Sequence, residues 1–397
     1  MSSKISFDSL CVKEYQRNES TKPHQLPIYA TSSFNFDSLD QGIDIFTGKE
    51  TGHSYSRYGN PTIDAVAGKI AAMEAYGTDL DAYGYLTSSG MSAISTLLIS
   101  TLSQGDKLLT QSNLYGGTTD LFISILQPLG ITPIFIDLRD KGLVAQMIDQ
   151  HPEIKMIYLE TPANPTLACI DIKWITDTAK EHQILTAIDN TFCTPINQRP
   201  LSLGIDFVIH STTKYINGHG NSIAGIIVGH DQAYQKKIWK AHKLIGTNCN
   251  PWDAWLINNG MKTLALRMEK HSANAMTIAR HIENHSAISQ VNYCGLPSHP
   301  DHEVAAAQMS NFGGMLSFEI KTGMKGAINF INQLEFCSLA PTLGDVDTLV
   351  LHPATSSHLN VDKQMREANG VTDGLVRMSV GIENVEDIIG DIEKGLS

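Results

Sequence analysis

From residue 61 onward, short apolar runs alternate with amphipathic or glycine-punctuated stretches. The runs fall at 83–86, 107–110, 131–136, 156–159, 184–188, 207–209 and 223–228. Runs of that length, bounded by Gly, Asn, Asp and Ser, predict buried strands, and the longer stretches between them predict helices. A helix over 62–74 precedes the first strand. Such alternation is the pattern of a mostly parallel sheet covered by helices, so a large α/β domain is expected over 61–250. After Pro251, Leu256, Met261, Leu264 and Met268 recur at helical spacing and predict one long helical stretch over 253–284. Strands at 315–320, 337–343 and 374–380, with helices near 325–333 and 385–396, give a smaller C-terminal α+β domain over 251–397. Residues 1–60 are rich in Ser, Asn, Pro and Tyr and lack a period on which to build a core. They read as an arm that packs on something else.

Composition changes this picture little. With 42% hydrophobic and 18% charged residues among 397, the chain reads as an ordinary globular protein, and its length suggests about two or three domains. A net charge of −12 argues against a nucleic-acid partner, which would call for clustered Lys and Arg. The six cysteines are scattered, with no C-x-x-C and no metal-ligand spacing, as expected of reduced thiols in a reducing compartment. The first eight residues lack the apolar core of a secretory signal, and no run of about 18 apolar residues offers a membrane span. A cytoplasmic protein with no membrane partner is expected.

The chemistry centres on Lys214, which follows the strand expected at 207–209, and on Asp189, which ends the strand expected at 184–188. In a parallel sheet the carboxyl ends of strands line one crevice, so the two side chains can share a site. A lysine amine that bonds to the cofactor aldehyde, with a carboxylate that keeps the ring nitrogen protonated, is what a pyridoxal phosphate (PLP) enzyme needs. Ser211 and Thr213 offer hydroxyls to the phosphate. Ser89, Gly90 and Met91 sit where a strand leads into a helix, and backbone N–H groups there form an anion site. A serine N-cap before a core helix accounts for Ser89 equally well. Tyr115 and Asn164 follow other predicted strands and are expected to face the same crevice, one stacking on a ring and the other bonding a cofactor oxygen. Each also has an ordinary reading, as a strand-end Tyr and as a turn Asn before proline.

Arg377 interrupts an apolar strand and requires an anion, either an internal Asp or Glu or the carboxylate of an amino-acid substrate. His299 and His302 look like a metal pair but lack a second ligand group at the usual spacing. Gly218-His-Gly220 is a fragment of a dinucleotide fingerprint that follows the lysine instead of opening a βαβ unit.

Seven segments then fall in order along nearly the whole chain. They are Tyr55-Ser-Arg-Tyr-Gly-Asn-Pro-Thr62, Ser88-Ser-Gly-Met-Ser-Ala-Ile94, Tyr115-Gly-Gly, Glu160-Thr-Pro-Ala-Asn-Pro165, Asp189-Asn-Thr-Phe, Ser211-Thr-Thr-Lys-Tyr-Ile-Asn-Gly-His219 and Val376-Arg-Met-Ser-Val-Gly381. Together they resemble the Cys/Met-metabolism (trans-sulfuration) family of PLP enzymes. The resemblance implies an aspartate-aminotransferase-like α/β fold (fold type I) and a homotetramer built as a dimer of dimers. It also implies that Tyr55 and Arg57 reach the cofactor phosphate of the neighbouring subunit, which gives the N-terminal arm a purpose. In that pattern Lys214 holds the cofactor, Asp189 pairs with its ring nitrogen, Tyr115 stacks on the ring and acts as acid or base at the leaving group, and Arg377 grips the substrate carboxylate, with Thr342 nearby. The implied reaction is γ-elimination from a sulfur amino acid, of the methionine or cystathionine γ-lyase type. The alternative is γ-replacement, as in cystathionine γ-synthase or O-acylhomoserine sulfhydrylase. Two places depart from some methionine γ-lyases: Gly117, where those carry Cys, and His242-Lys243, where those carry Lys-Asp.

Overall fold

The computed structural model describes residues 6–13, 23–357, 359 and 363–397; of the arm expected over 1–60, residues 1–5 and 14–22 lie outside these. Seven of the apolar runs form one sheet: β1 (Tyr83–Thr87), β2 (Lys107–Gln111), β3 (Thr132–Ile136), β4 (Ile154–Glu160), β5 (Leu185–Asp189), β6 (Phe207–His210) and β7 (Gly225–Gly229). Their order is β1-β7-β6-β5-β4-β2-β3. All neighbours run parallel except β7, which is antiparallel to both β1 and β6.

Both faces of the central strands are covered, which is why they read as unbroken apolar runs. Period-two alternation sends Ile157, Leu159, Ile188 and Val208 into the core that contains Val66 and Ile70 of the helix Pro61–Glu74. It sends Met156, Tyr158, Ala187 and Phe207 to the other face, against Ile94 and Leu97 of the helix Gly90–Thr101.

The second sheet contains β8 (Ile288–Asn292), β9 (Met315–Ile320), β10 (Ser338–Leu339), β11 (Leu349–Leu351) and β12 (Leu375–Ser379), in the order β10-β11-β12-β9-β8. Its core includes Phe318, Phe330, Val376 and Met378, together with Ile388 and Ile392 of the helix Val385–Leu396. Each such apolar side chain, buried from water, contributes about 1.5–3 kcal/mol.

Three expectations need correction. The helical stretch over 253–284 is two helices, Pro251–Met261 and Leu264–Ile282. The break comes where the Gly260 carbonyl accepts from Arg267 Nη2 at 2.8 Å and the last turn tightens, with Lys262 N–H reaching back to Asn259. The strand expected over 337–343 is only the two residues of β10, because Pro341 has no N–H to offer the ladder. Strands β8 and β11 were not foreseen; both are short, and β8 exposes Ser289 and Gln290.

Candidate active site

The carboxyl ends of β1, β2, β4, β5 and β6 share one edge of the larger sheet, and the loops beyond them line a cavity of about 270 Å³. β6 leads into the turn that carries Lys214. Its Nζ donates to Thr342 Oγ1 at 2.8 Å. Burial lowers the amine's pKa, the charge of Arg377 adds to the shift, and Asp345 opposes it. A larger share of neutral amine at a given pH is what a nucleophile or base requires.

β5 ends in Asp189. Thr191 gives Asp189 Oδ1 both its N–H, at 3.0 Å, and its hydroxyl, at 2.5 Å. The other carboxylate oxygen has no hydrogen bond among the described residues. Burial holds the carboxyl above its usual range despite the two bonds from Thr191, and a cation set against it would restore the charged form. The hydroxyl of Thr191 also accepts from the Ser211 N–H at 2.8 Å, so the ends of β5 and β6 are joined at the cavity wall.

The helix Gly90–Thr101 points its N-terminus at the same space, and the first N–H groups of a helix have no intrahelical acceptor. Ser89 caps it through a capping box with Ser92, so the N-cap reading of Ser89 holds alongside its place in the cavity wall. Gly90 allows a close approach, since a Cβ there would sit 2.8 Å from Ser211 Cβ. Thr213 also lines the cavity, but its hydroxyl donates to Ala224 O at 3.1 Å and accepts from Ala224 N–H at 3.0 Å. Its one proton is therefore engaged within the chain.

Arg377 comes from β12 of the other sheet and is buried. Its Nη2 donates to Thr342 O at 2.9 Å and its Nη1 to Asn164 Oδ1 at 3.4 Å, while Nε finds no partner. No carboxylate pairs with it among the described residues, so the internal ion pair left open from sequence is absent there. Burial lowers its pKa to about 10, still charged near neutrality. A buried guanidinium with an unused N–H and no acid suits an incoming carboxylate.

Glu160 was passed over in the sequence. It ends β4 in register with Asp189 and lines the cavity. One carboxylate oxygen accepts from the N–H of Tyr115 at 2.9 Å, the other from that of Asn164 at 3.0 Å. Burial and the charge of Asp189 raise its pKa to about 8, against the pull of those two N–H groups. The signal was present in its position as the last residue of a buried strand, directly before the Thr-Pro-Ala-Asn-Pro loop.

Lys214, Asp189, Ser89, Gly90, Met91, Tyr115, Asn164, Ser211, Thr213, Thr342 and Arg377 thus share one cavity. Tyr55 and Arg57 lie apart from it. Arg57 donates to the Lys243 carbonyl and stacks over the Tyr58 and Tyr55 rings, 4.9 and 5.4 Å from their centroids. Arg57 and His242 border a different cleft, where burial lowers the His242 pKa to about 4. Gly117 lies under the ring of Tyr115, and a Cβ there would sit 2.7 Å from Tyr115 Cε1. The two histidines of the Pro-rich turn bond locally, His299 Nδ1 accepting from the Asp301 N–H at 3.2 Å and His302 Nδ1 lying 2.9 Å from Cys294 O.

Among known proteins, residues 8–397 match the family described as Cys/Met metabolism PLP-dependent enzyme. The L-methionine γ-lyase of Fusobacterium nucleatum subsp. polymorphum is 44% identical over 373 residues, covering 94% of this chain and 93% of that protein. A cystathionine β-lyase of Lactococcus lactis subsp. cremoris is 41% identical, over 96% of this chain and 95% of that protein. The solved cystathionine γ-synthase of Xanthomonas oryzae pv. oryzae superposes with a TM-score of 0.92 at 34% identity, over 99% of this chain and 98% of that one.

Proposed function

The chain belongs to the Cys/Met-metabolism family of PLP-dependent enzymes, and from that premise we propose that it catalyses γ-elimination from a sulfur amino acid, with methionine or cystathionine as substrate. For methionine, substrate and water give methanethiol, 2-oxobutanoate and ammonia. The observation that carries this reading is the pairing, in one cavity, of a reactive amine with a buried guanidinium that has no acid of its own.

The residues present fit the cofactor. Lys214 has no ion pair among the described residues, Asp189 keeps one carboxylate oxygen without a hydrogen bond, and the start of the helix Gly90–Thr101 brings backbone N–H groups to the same cavity. In this reading Lys214 would hold the cofactor, Asp189 would pair with its ring nitrogen, and Tyr115 would stack on the ring. Asn164 would bond an oxygen of the cofactor, while Ser89, Gly90, Met91, Ser211 and Thr213 would surround the phosphate. When bound, PLP supplies an electron sink for the charge left by proton removal beside the amino group.

Arg377 takes the α-carboxylate in its planar fork and so fixes the Cα–H bond relative to Lys214. The freed amine of Lys214 accepts the proton from Cα, gives it up on the cofactor side and, neutral again, accepts one from Cβ. The Thr342 hydroxyl, 2.8 Å away, holds that amine on the substrate side. Tyr115 gives a proton to the sulfur leaving Cγ. We further propose a cytoplasmic homotetramer, a dimer of dimers in which the arm over 1–60 carries Tyr55 and Arg57 to the neighbouring subunit, with the division at 61–250 and 251–397 separating the cofactor-bearing domain from the C-terminal one.

A second reading, γ-replacement on an activated homoserine, is supported by the likeness to cystathionine γ-synthase. Release of 2-oxobutanoate and methanethiol in equal amounts from methionine tests the first reading. Reaction only with a homoserine ester in the presence of a thiol supports the second.

A further inference from the structure

Neighbouring residues along a strand point to opposite faces, so at the ends of β4, β5 and β6 one residue of each adjacent pair lines the cavity and the other turns away from it. Asn190 backs Asp189, His210 backs Ser211, and Thr161 backs Glu160. On that far side lies Glu74, the last residue of the helix Pro61–Glu74. Its Oε1 is 2.6 Å from His210 Nε2 and accepts from Asn190 Nδ2 at 3.1 Å. Asn190 Nδ2 also donates to Gln198 O at 2.9 Å, and Gln198 Nε2 returns to Asn190 Oδ1 at 3.0 Å and to Thr161 O at 3.1 Å. Glu74, His210 and Asn190 are 0% exposed, and none of the network lines the cavity.

Such a network is costly where an apolar core would pack as well, since every buried polar group must find a partner. Here Glu74 Oε2, His210 Nδ1 and Gln198 Oε1 have none among the described residues. What distinguishes it from ordinary core is its place, across the ends of the strands that deliver Glu160, Asp189 and the Lys214 turn. The imidazole of His210 also acts electrostatically on Asp189, favouring its carboxylate.

We propose that Glu74 is a positioning residue for the reaction: bonding His210 and Asn190 with one oxygen, it fixes the end of β5 against the end of β6. The spacing of Asp189 from Ser211 and Lys214 is set from behind. This rests on the roles given to Asp189 and Lys214 above, but not on which sulfur amino acid is turned over.

The test uses the purified holoenzyme and its Asn190→Ala, Glu74→Ala and Glu74→Gln variants, each assayed with whichever substrate the parent enzyme turns over best. PLP dissociation constant, visible absorbance of the bound cofactor, kcat, KM and Tm are compared. Asn190→Ala and Glu74→Ala are expected to weaken PLP binding and lower kcat by about tenfold or more each, with KM changed less than about threefold because Arg377 and Thr342 stand on other elements. Glu74→Gln, which keeps an acceptor oxygen, is expected to rescue most of what Glu74→Ala loses. Should Glu74→Ala not fold, Asn190→Ala leaves the Glu74–His210 contact in place and carries the test. A lower Tm with parental PLP affinity and kcat in Asn190→Ala overturns the proposal, as does a Glu74→Gln enzyme as impaired as Glu74→Ala. A parent enzyme that makes an unexpected product overturns the proposed reaction instead and leaves these comparisons intact.

Discussion

The amine of Lys214 donates to the hydroxyl of Thr342 at 2.8 Å, and the carbonyl of the same threonine accepts from Arg377 at 2.9 Å. One residue thus spans the group proposed to move protons and the group proposed to hold the substrate. Its position depends on the chain leaving the ladder at Pro341, two residues after the end of the shortened strand β10.

Thr342→Ala removes the hydroxyl but leaves the carbonyl on Arg377. It is expected to lower kcat about tenfold while KM for the amino acid stays near the parental value, the loss of one positioning bond being worth about 1–1.5 kcal/mol. Thr342→Ser is expected to restore kcat. Steady-state kinetics with both variants check this, and equal impairment of the two contradicts it.

Arg377→Ala is expected to raise KM and lower kcat/KM by roughly 30- to 150-fold, since a charge-assisted bidentate contact contributes about 2–3 kcal/mol. Arg377→Lys is expected to recover only part, because an ammonium lacks the planar fork. An unchanged kcat/KM excludes Arg377 from holding the substrate carboxylate.

Several of these residues were legible from sequence, and the reason is topological. Lys214, Asp189, Ser89 and Asn164 each follow an apolar run, and parallel strands bring such ends to one edge whatever their separation in the chain. Glu160 ends an apolar run too, but the bonds that hold it, accepted from two backbone N–H groups, one of them 45 residues earlier, leave no mark of their own in the sequence. The break at Lys262 was hidden for a similar reason: it depends on the side chain of Arg267 reaching back to Gly260 O, not on helix propensity. The Glu74 network leaves no pattern beyond a buried helix end. Tyr55 and Arg57 stood out only by resemblance, since their proposed target is on another chain.

Lys214 provides a test in pH. Its pKa is lowered by burial and by the charge of Arg377, and only the neutral amine can capture the cofactor aldehyde. The rate at which cofactor-free protein takes up PLP, followed by absorbance, is therefore expected to rise with pH to a midpoint below the ordinary 10.5. In Arg377→Ala the midpoint moves upward, because a like charge has been removed. A parental midpoint at or above 10.5 contradicts the lowered pKa, and a downward move in the variant contradicts the role of Arg377 in it.

Shared sites between subunits are tested by complementation. Arg57→Ala is expected to weaken PLP retention, and mixing it with inactive Lys214→Ala is expected to restore part of the activity once subunits have exchanged. Exchange is verified independently by mass. No recovery after proven exchange rules out a contribution of Arg57 to the neighbour's site.

The most direct measurement is product analysis of the PLP-loaded enzyme given L-methionine, L-cystathionine and an O-acylhomoserine in parallel, the last with and without cysteine or sulfide. The account predicts 2-oxobutanoate and ammonia from methionine or cystathionine with no added thiol. Pyruvate from cystathionine, or reaction of the homoserine ester alone with a new sulfur amino acid as product, contradicts it.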